Sequence, residues 1–178
     1  MKKVLLAVIA VFLLSPCVYA TKFVSIIKNE GTVQIKTPDG ELITYKSGDK
    51  IPELLYGSKI IAGSKPVSIQ FFRTAVIVLE KNQGIFFTKN PISKRIEIFK
   101  LETKSTHPNI KLLLPENITA QFGGDTKIAL KEQFPTIYLE VKTGLVTVKE
   151  PEGAVYRLQC GDDYEAKQSL RSLLKNDF

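Results

Sequence analysis

Histidine, cysteine and paired carboxylates are the side chains through which a chain of this size would do chemistry, and here they are few and scattered. His107 is the only histidine among 178 residues and stands directly before Pro108 in the polar stretch Lys104 to Asn109. A nucleophile–imidazole–carboxylate relay would have to be built there on a loop without local support. One histidine with Cys17 and Cys160 cannot supply the usual zinc sets, and no acidic loop has the spacing of a calcium site. Asp49 and Asp162-Asp163 follow Gly48 and Gly161 in short turns, where a carboxylate accepts local backbone N–H groups. Gly123-Gly124-Asp125 lacks the glycine spacing and following helix of a phosphate cradle and reads as a tight turn. Asn117-Ile118-Thr119 matches a glycosylation sequon, which the bacterial character of the N-terminus makes accidental. The residue types therefore predict no catalytic site, no cofactor and no metal.

A binding surface is the chemistry that remains. Between Lys89 and Lys111 the chain carries Lys89, Lys94, Arg95, Lys100, Lys104 and Lys111 against Glu97 and Glu102. This local excess of four suits lipopolysaccharide phosphates, acidic phospholipid or an acidic protein partner, the plainer reading being a solvated connector. Nucleic acid is not expected, because Phe71, Phe72, Phe86 and Phe87 lie in strand-like runs and read as core rather than as exposed stacking platforms. A second candidate contact is Glu165 to Lys175 (EAKQSLRSLLK), where Ala166, Leu170, Leu173 and Leu174 recur at helical spacing after Asp162 and Asp163, residues suited to an N-cap. A helix there covers an open sheet end, or docks a partner through Leu170, Leu173 and Leu174.

The first twenty residues read as an export signal: Lys2 and Lys3, an apolar run from Val4 to Leu14, and Val18-Tyr19-Ala20 as the cleavage motif. The apolar run is too short to span a bilayer. Cleavage after Ala20 discards Cys17; a lipid anchor on Cys17 is disfavoured by Pro16 immediately before it. The formal charge of +7 falls with Lys2 and Lys3 to 23 basic against 18 acidic residues, a mild and interspersed excess. The mature length suits one domain rather than two. Cys160 is then alone, so no intrachain disulfide is possible, and its place near Tyr156 and Leu158 predicts a small, half-buried structural position.

The elements that must position these residues are strands. Gly31 to Lys50 (GTVQIKTPDGELITYKSGDK) superimposes on Gly144 to Asp163 (GLVTVKEPEGAVYRLQCGDD) without a gap, with Gly31/Gly144, Val33/Val146, Lys36/Lys149, Pro38/Pro151, Gly40/Gly153, Gly48/Gly161 and Asp49/Asp162 identical. Each copy is a hairpin: period-two strands flank Pro-Asp-Gly or Pro-Glu-Gly, in which proline presets φ and glycine supplies the left-handed step. Period-two patterning also predicts strands at Lys22–Lys28, Lys59–Ala62, Val67–Phe72, Ala75–Glu80, Ile85–Thr88, Arg95–Glu102, Ile118–Phe122, Thr126–Leu130 and Thr136–Val141. The all-apolar Ala75 to Leu79 predicts a central strand buried on both faces. The fold class expected is all-β, a β-solenoid-like or sandwich-like domain of short strands over residues 21–166, its two halves meeting near 104–109, followed by the short C-terminal helix and tail over 167–178.

The hairpin and its sequel resemble the FecR domain family, which pairs a Gly-x-Val-x-Val strand with an aliphatic residue before Gly-Asp and a further Gly-Asp-x-Ile-x-Thr stretch. The matching residues are Gly31, Val33 and Ile35, then Gly48 and Asp49, then Gly57 to Ala62 with Ser64 and Val67 to Phe71; near the end they are Gly144 to Val148 and Leu158 to Asp162. Ser58 and Ala62 replace the family's usual Asp and Thr, and Phe71 to Thr74 lacks its Asp-Gly turn. The resemblance covers Gly31 to Ala166 and implies a β-solenoid-like domain outside the cytoplasmic membrane. The family's siderophore-signalling regulators carry an anti-sigma segment and a transmembrane helix ahead of the domain; neither is recognisable here, so their iron signalling is not carried over.

Together these readings predict an exported, periplasmic or secreted, non-enzymatic FecR-like interaction or scaffold module of the bacterial cell envelope, partnered by an envelope protein or an anionic envelope component. The alternative is a lipid or glycolipid carrier with an open β-solenoid groove, since such a fold resembles that of lipopolysaccharide transport. A carrier needs a continuous apolar trough lined by Ile69, Phe71, Ile77 and Leu79, whereas an interaction module is filled at ordinary density.

Overall fold

The computed structural model describes residues 24–169. Among them are fifteen strands: β1 (Val24–Asn29), β2 (Thr32–Lys36), β3 (Leu42–Lys46), β4 (Lys59–Ala62), β5 (Val67–Phe71), β6 (Ala75–Leu79), β7 (Gly84–Lys89), β8 (Ile96–Leu101), β9 (Asn109–Leu113), β10 (Thr119–Gly123), β11 (Lys127–Gln133), β12 (Thr136–Thr143), β13 (Leu145–Lys149), β14 (Val155–Gln159) and β15 (Asp163–Lys167). No α-helix occurs among the described residues; a single 3-10 turn spans Pro115–Asn117.

The strands form two antiparallel sheets, one ordered β1-β5-β6-β9-β10-β13-β14 and the other β15-β12-β11-β8-β7-β4-β2-β3. The fold is thus all-β and sandwich-like. The chain lays successive hairpins alternately on the two sheets: β5–β6 and β9–β10 in the seven-stranded sheet, β7–β8 and β11–β12 in the eight-stranded one. The reason is in the alternation. Strands such as β5 (Val67, Ile69, Phe71) and β6 (Ala75, Ile77, Leu79) bury every second side chain, and each such face needs an opposing apolar face. One core cluster collects Val33, Ile60, Ile69, Phe71, Phe87, Ile98, Leu112, Phe122, Leu139 and Val146, from both sheets and both ends of the chain. Phe71 of one sheet meets Phe87 of the other edge-on, ring centroids 5.7 Å apart, and Tyr56 closes on Phe87 at 6.2 Å.

The two similar hairpins fold alike to the level of single bonds. Gly40 N–H donates to Thr37 O and Gly153 N–H to Glu150 O, each at 3.0 Å, with both glycines at positive φ. The Asp49 carboxylate accepts from Lys46 N–H at 2.7 Å and the Asp162 carboxylate from Gln159 N–H at 2.8 Å, so both acids cap their turns. The copies end opposite sheets, β2–β3 the eight-stranded and β13–β14 the seven-stranded. At Gly31 the chain passes from the seven- to the eight-stranded sheet, and at Gly144 it passes back. Both corners are tight: a Cβ on Gly31 would lie 2.5 Å from Ser64 Oγ, and one on Gly144 2.8 Å from Thr126 Cα.

Three expectations are corrected. The segment read as the start of a helix, Glu165–Lys167, is the end of β15, paired antiparallel to β12 (Ile137 opposite Ala166). Tyr164 and Ala166 turn inward at period two, and pairing with β12 satisfies the backbone groups of the segment while burying Ala166. The rest of that helix reading, with Leu170, Leu173 and Leu174, lies outside the described residues. Cys160 is exposed rather than half-buried, because it sits past the end of β14 in the turn, its thiol 3.0 Å from Lys142 O. β6 is interior to its sheet but buried on one face only, Val76 and Val78 being half-exposed on the other.

Phe87→Ala removes the ring that joins the two sheets and leaves a cavity. It is expected to cost about 3–5 kcal/mol in chemical denaturation, against less than about 1 kcal/mol for Phe134→Ala, whose ring is 57% exposed.

Candidate functional site

The candidate contact residues from the basic stretch do not form one patch. β7 delivers Lys89, whose ammonium lies 5.4 Å over the Tyr56 ring, to one end of the sandwich. Exposed Lys94 and half-buried Arg95 belong to the turn at that same end. Lys100 and Lys104 sit at the opposite end, near the close of β8 and on the connector after it, and Lys111 points outward from β9 in the other sheet. The connector is held by Gln83, fully buried, whose amide donates to His107 O at 2.7 Å and Asn109 O at 2.9 Å. His107 itself is exposed.

Arg95 instead joins residues distant in sequence. On the outer face of the eight-stranded sheet, β11 presents Lys127, Ala129 and Lys131, and β12 presents Tyr138, Glu140 and Lys142, with Ala129 opposite Glu140. The Glu140 carboxylate pairs with both Arg95 and Lys142. One strand over, Lys127 pairs with Glu97 at 2.8 Å and stands 4.6 Å above the Phe99 ring, while the Asn90 amide donates to Glu97 at 3.1 Å. Ala129 carries no exposed surface although it lies on the outer face and outside the core cluster. The long charged side chains on either side account for this, spanning the small residue and burying their stems on it. The hydrogen bond from Lys127, aided by that from Asn90, holds the Glu97 carboxyl below its ordinary range.

This network borders an open cleft of about 580 Å³ lined by Ser93, Arg95, Lys131, Glu140, Lys142, Gly161 and Asp163. Among the described residues Lys131 has no carboxylate within ion-pair distance, and the cleft lining presents three cations to two anions. A second cleft, about 200 Å³, is lined by Ile26, Ile27, Lys28, Asn29, Gly48, Asp49 and Ile51. The two are counterparts under the hairpin alignment: Ile27, Asn29 and Gly48 occupy the positions of Glu140, Lys142 and Gly161. One backbone frame thus appears twice, lined by one lysine and one aspartate beside three isoleucines in the first copy and by five ionisable side chains in the second. The copies also differ at their fourth segment. β15 pairs along β12, whereas among the described residues its counterpart near Lys50–Leu54 is tied to β1 by the backbone bond from Leu54 N–H to Val24 O, and Pro52 has no N–H to donate.

Of the six basic candidates, only Arg95 lines the larger cleft. Sequence reasoning missed Lys131, Glu140, Lys142 and Asp163 as its companions; the one available signal was the period-two run Tyr138, Glu140, Lys142 on the polar side of β12. Among the described residues no group of His, Cys, Asp and Glu is placed to hold a metal ion. Comparison with protein-family models, curated proteins and solved structures finds no match to the chain.

Because the carboxyl pKa of Glu97 is lowered by folding, its contribution to stability is present above the unfolded carboxyl pKa and is lost as pH falls through the folded value. Glu97→Gln is therefore expected to flatten the loss of stability measured by denaturant titration between neutral pH and pH ~3. An unchanged slope would show that the Lys127–Glu97 pair contributes nothing.

Proposed function

We propose that the chain is a non-enzymatic, FecR-like interaction module exported to the bacterial cell envelope, which meets its partner on the outer face of the eight-stranded sheet. The observation that carries this reading is where the chemistry lies. Ile69, Phe71, Ile77 and Leu79, the residues a lipid groove would expose, are each 0% accessible between the sheets. An acyl chain needs an apolar trough, and these four side chains already fill the space it would occupy. Ionisable groups gather outside instead, on strands that hold them within an ordered sheet. Arg95, Lys131 and Lys142 supply directional donors and Glu140 and Asp163 acceptors, a mixed set suited to an acidic segment that also offers hydrogen-bond donors. The carrier reading is the weaker one on the same observation.

Photo-crosslinking in the envelope tests this. A photoreactive residue at position 131 is expected to give a discrete adduct that Lys142→Glu abolishes, and the same probe at position 111, on the outer face of the other sheet, is expected to give none. Identical bystander adducts from both positions would overturn the reading.

A further inference from the structure

Two open sheets have four edges, and among the described residues these are β1 and β14 in the seven-stranded sheet and β15 and β3 in the eight-stranded one. An uncovered edge offers its backbone N–H and C=O groups to another strand. Three of the four are blunted. The Gly-Asp turns fold back on β3 and β14: Asp49 N–H donates to Lys46 O at 3.1 Å while its carboxylate accepts from Lys46 N–H, and Asp162 treats Gln159 in the same way, its N–H donating at 2.9 Å. β1 is broken by a bulge between Ile26 and Lys28, and Leu54 N–H already occupies Val24 O.

β15 has none of these devices. Gln168 N–H donates to Pro135 O and Val141 N–H to Asp162 O, both at 2.9 Å, which makes Ile137–Ala166 and Leu139–Tyr164 the hydrogen-bonded pairs of the ladder with β12. The backbone groups of Asp163, Glu165 and Lys167 therefore point away from β12, along the open edge. Ser169 N–H, next on that side, is taken by the Glu116 carboxylate at 2.8 Å. The strand carries no proline, no bulge and no inward charge. Its inward residues are Tyr164, which donates to Glu150 and lies 5.7 Å from the Tyr156 ring, and the buried Ala166. Its outward residues, Asp163, Glu165 and Lys167, are exposed and of both signs. Within one copy Lys167 and Glu165 stand 3.7 Å apart, a loose contact of exposed groups that leaves both open to another partner.

The sequence of this edge is complementary to itself. An antiparallel second copy of β15, related by a twofold axis at Ala166, sets Glu165 opposite Lys167 of the second copy and Lys167 opposite its Glu165. The backbone groups of both residues face the open edge, so each of these two pairs closes two hydrogen bonds. At the axis alanine meets alanine, in the pairing that brings side chains closest and that a large residue would crowd. Moving the axis to Glu165 opposes two carboxylates, and moving it to Lys167 opposes two ammonium groups; charge thus selects one register. We infer that the chain self-associates through β15, joining two eight-stranded sheets edge to edge, with the Glu165–Lys167 pairs fixing the register. Opposed residues of an antiparallel pair share a face, so the two charged clefts, each with Asp163 on its wall, open on the same side of the joined sheet. A partner with two binding segments meets both at once. The inference rests on the edge alone and stands apart from the reading of the cleft.

The test is analytical ultracentrifugation of the purified protein over a concentration series. A contact of this small size is expected to give a dimer half-dissociated at roughly 10–100 μM. Glu165→Lys and Lys167→Glu each oppose like charges and are each expected to weaken the dimer at least about tenfold. An equimolar mixture of the two variants opposes unlike charges at both pairs and is expected to restore the dimer. Both positions are exposed, so an unchanged unfolding midpoint shows that the variants fold. A wild type still monomeric at about 1 mM, single variants that dimerise as the wild type does, or a mixture that stays monomeric would each overturn the inference. So would a photoreactive residue at position 165 that captures a different envelope protein and never a second copy.

Discussion

Every strand of this protein has one apolar face, and a sheet built of such strands is stable only against a second sheet of the same kind. That constraint explains why, from β4 onward, the chain crosses over after each strand or hairpin it lays down. A hairpin laid on one sheet presents Ile69, Phe71, Ile77 and Leu79 to the space that the next hairpin, with Ile85, Phe87, Ile96 and Ile98, must fill from the other side. The edge-on contact of Phe71 with Phe87 is where the two layers interlock. The crossings need corners where backbones nearly touch, and the glycines at Gly31 and Gly144 serve the first and the sixth of them. With the interior given over to packing, any contact with another molecule is left to the outer faces and the tips.

The duplicated hairpin acquires a use in this setting. Seven identities, mostly at turns, fix a frame in which the preceding strand and the Gly-Asp turn enclose a cleft. The frame tolerates different side chains on its walls, because those walls are outward positions of strands whose inward positions carry the fold. Ile27 and Asn29 in one copy correspond to Glu140 and Lys142 in the other. The two copies differ in chemistry where packing does not constrain it, and the pairing of Glu140 with Arg95 ties the more charged copy to the β7–β8 hairpin.

The strands were largely legible from alternation, since apolar residues at every second position leave a one-sided sheet few alternatives. Where that signal failed, a rival pattern was stronger. Glu165 to Lys175 offers leucines at helical spacing, and these outweighed the short alternation of Tyr164 and Ala166 that places β15 on the sheet. β9 is hard to read because its Ile110 and Leu112 follow directly on the polar connector. The parity of β14, extended one residue past its end, points Cys160 inward, but the strand stops at Gln159 and the thiol is exposed. The charged cleft was illegible for a different reason: Arg95 meets Glu140, and Glu97 meets Lys127, only through the order of strands in the sheet. Linear charge counting therefore grouped Lys89 to Lys111, which the fold distributes over two ends and two sheets.

The central claim is that the space between the sheets belongs to the protein's own side chains, so that the molecule works from its surface. Native mass spectrometry of the protein purified gently from envelope extracts tests this most directly. The account predicts the bare mass of the processed polypeptide, with any lipid present only in substoichiometric, readily stripped amounts. A stoichiometric lipid adduct that survives activation would contradict it, because an acyl chain has no place between Phe71 and Phe87 as they are packed.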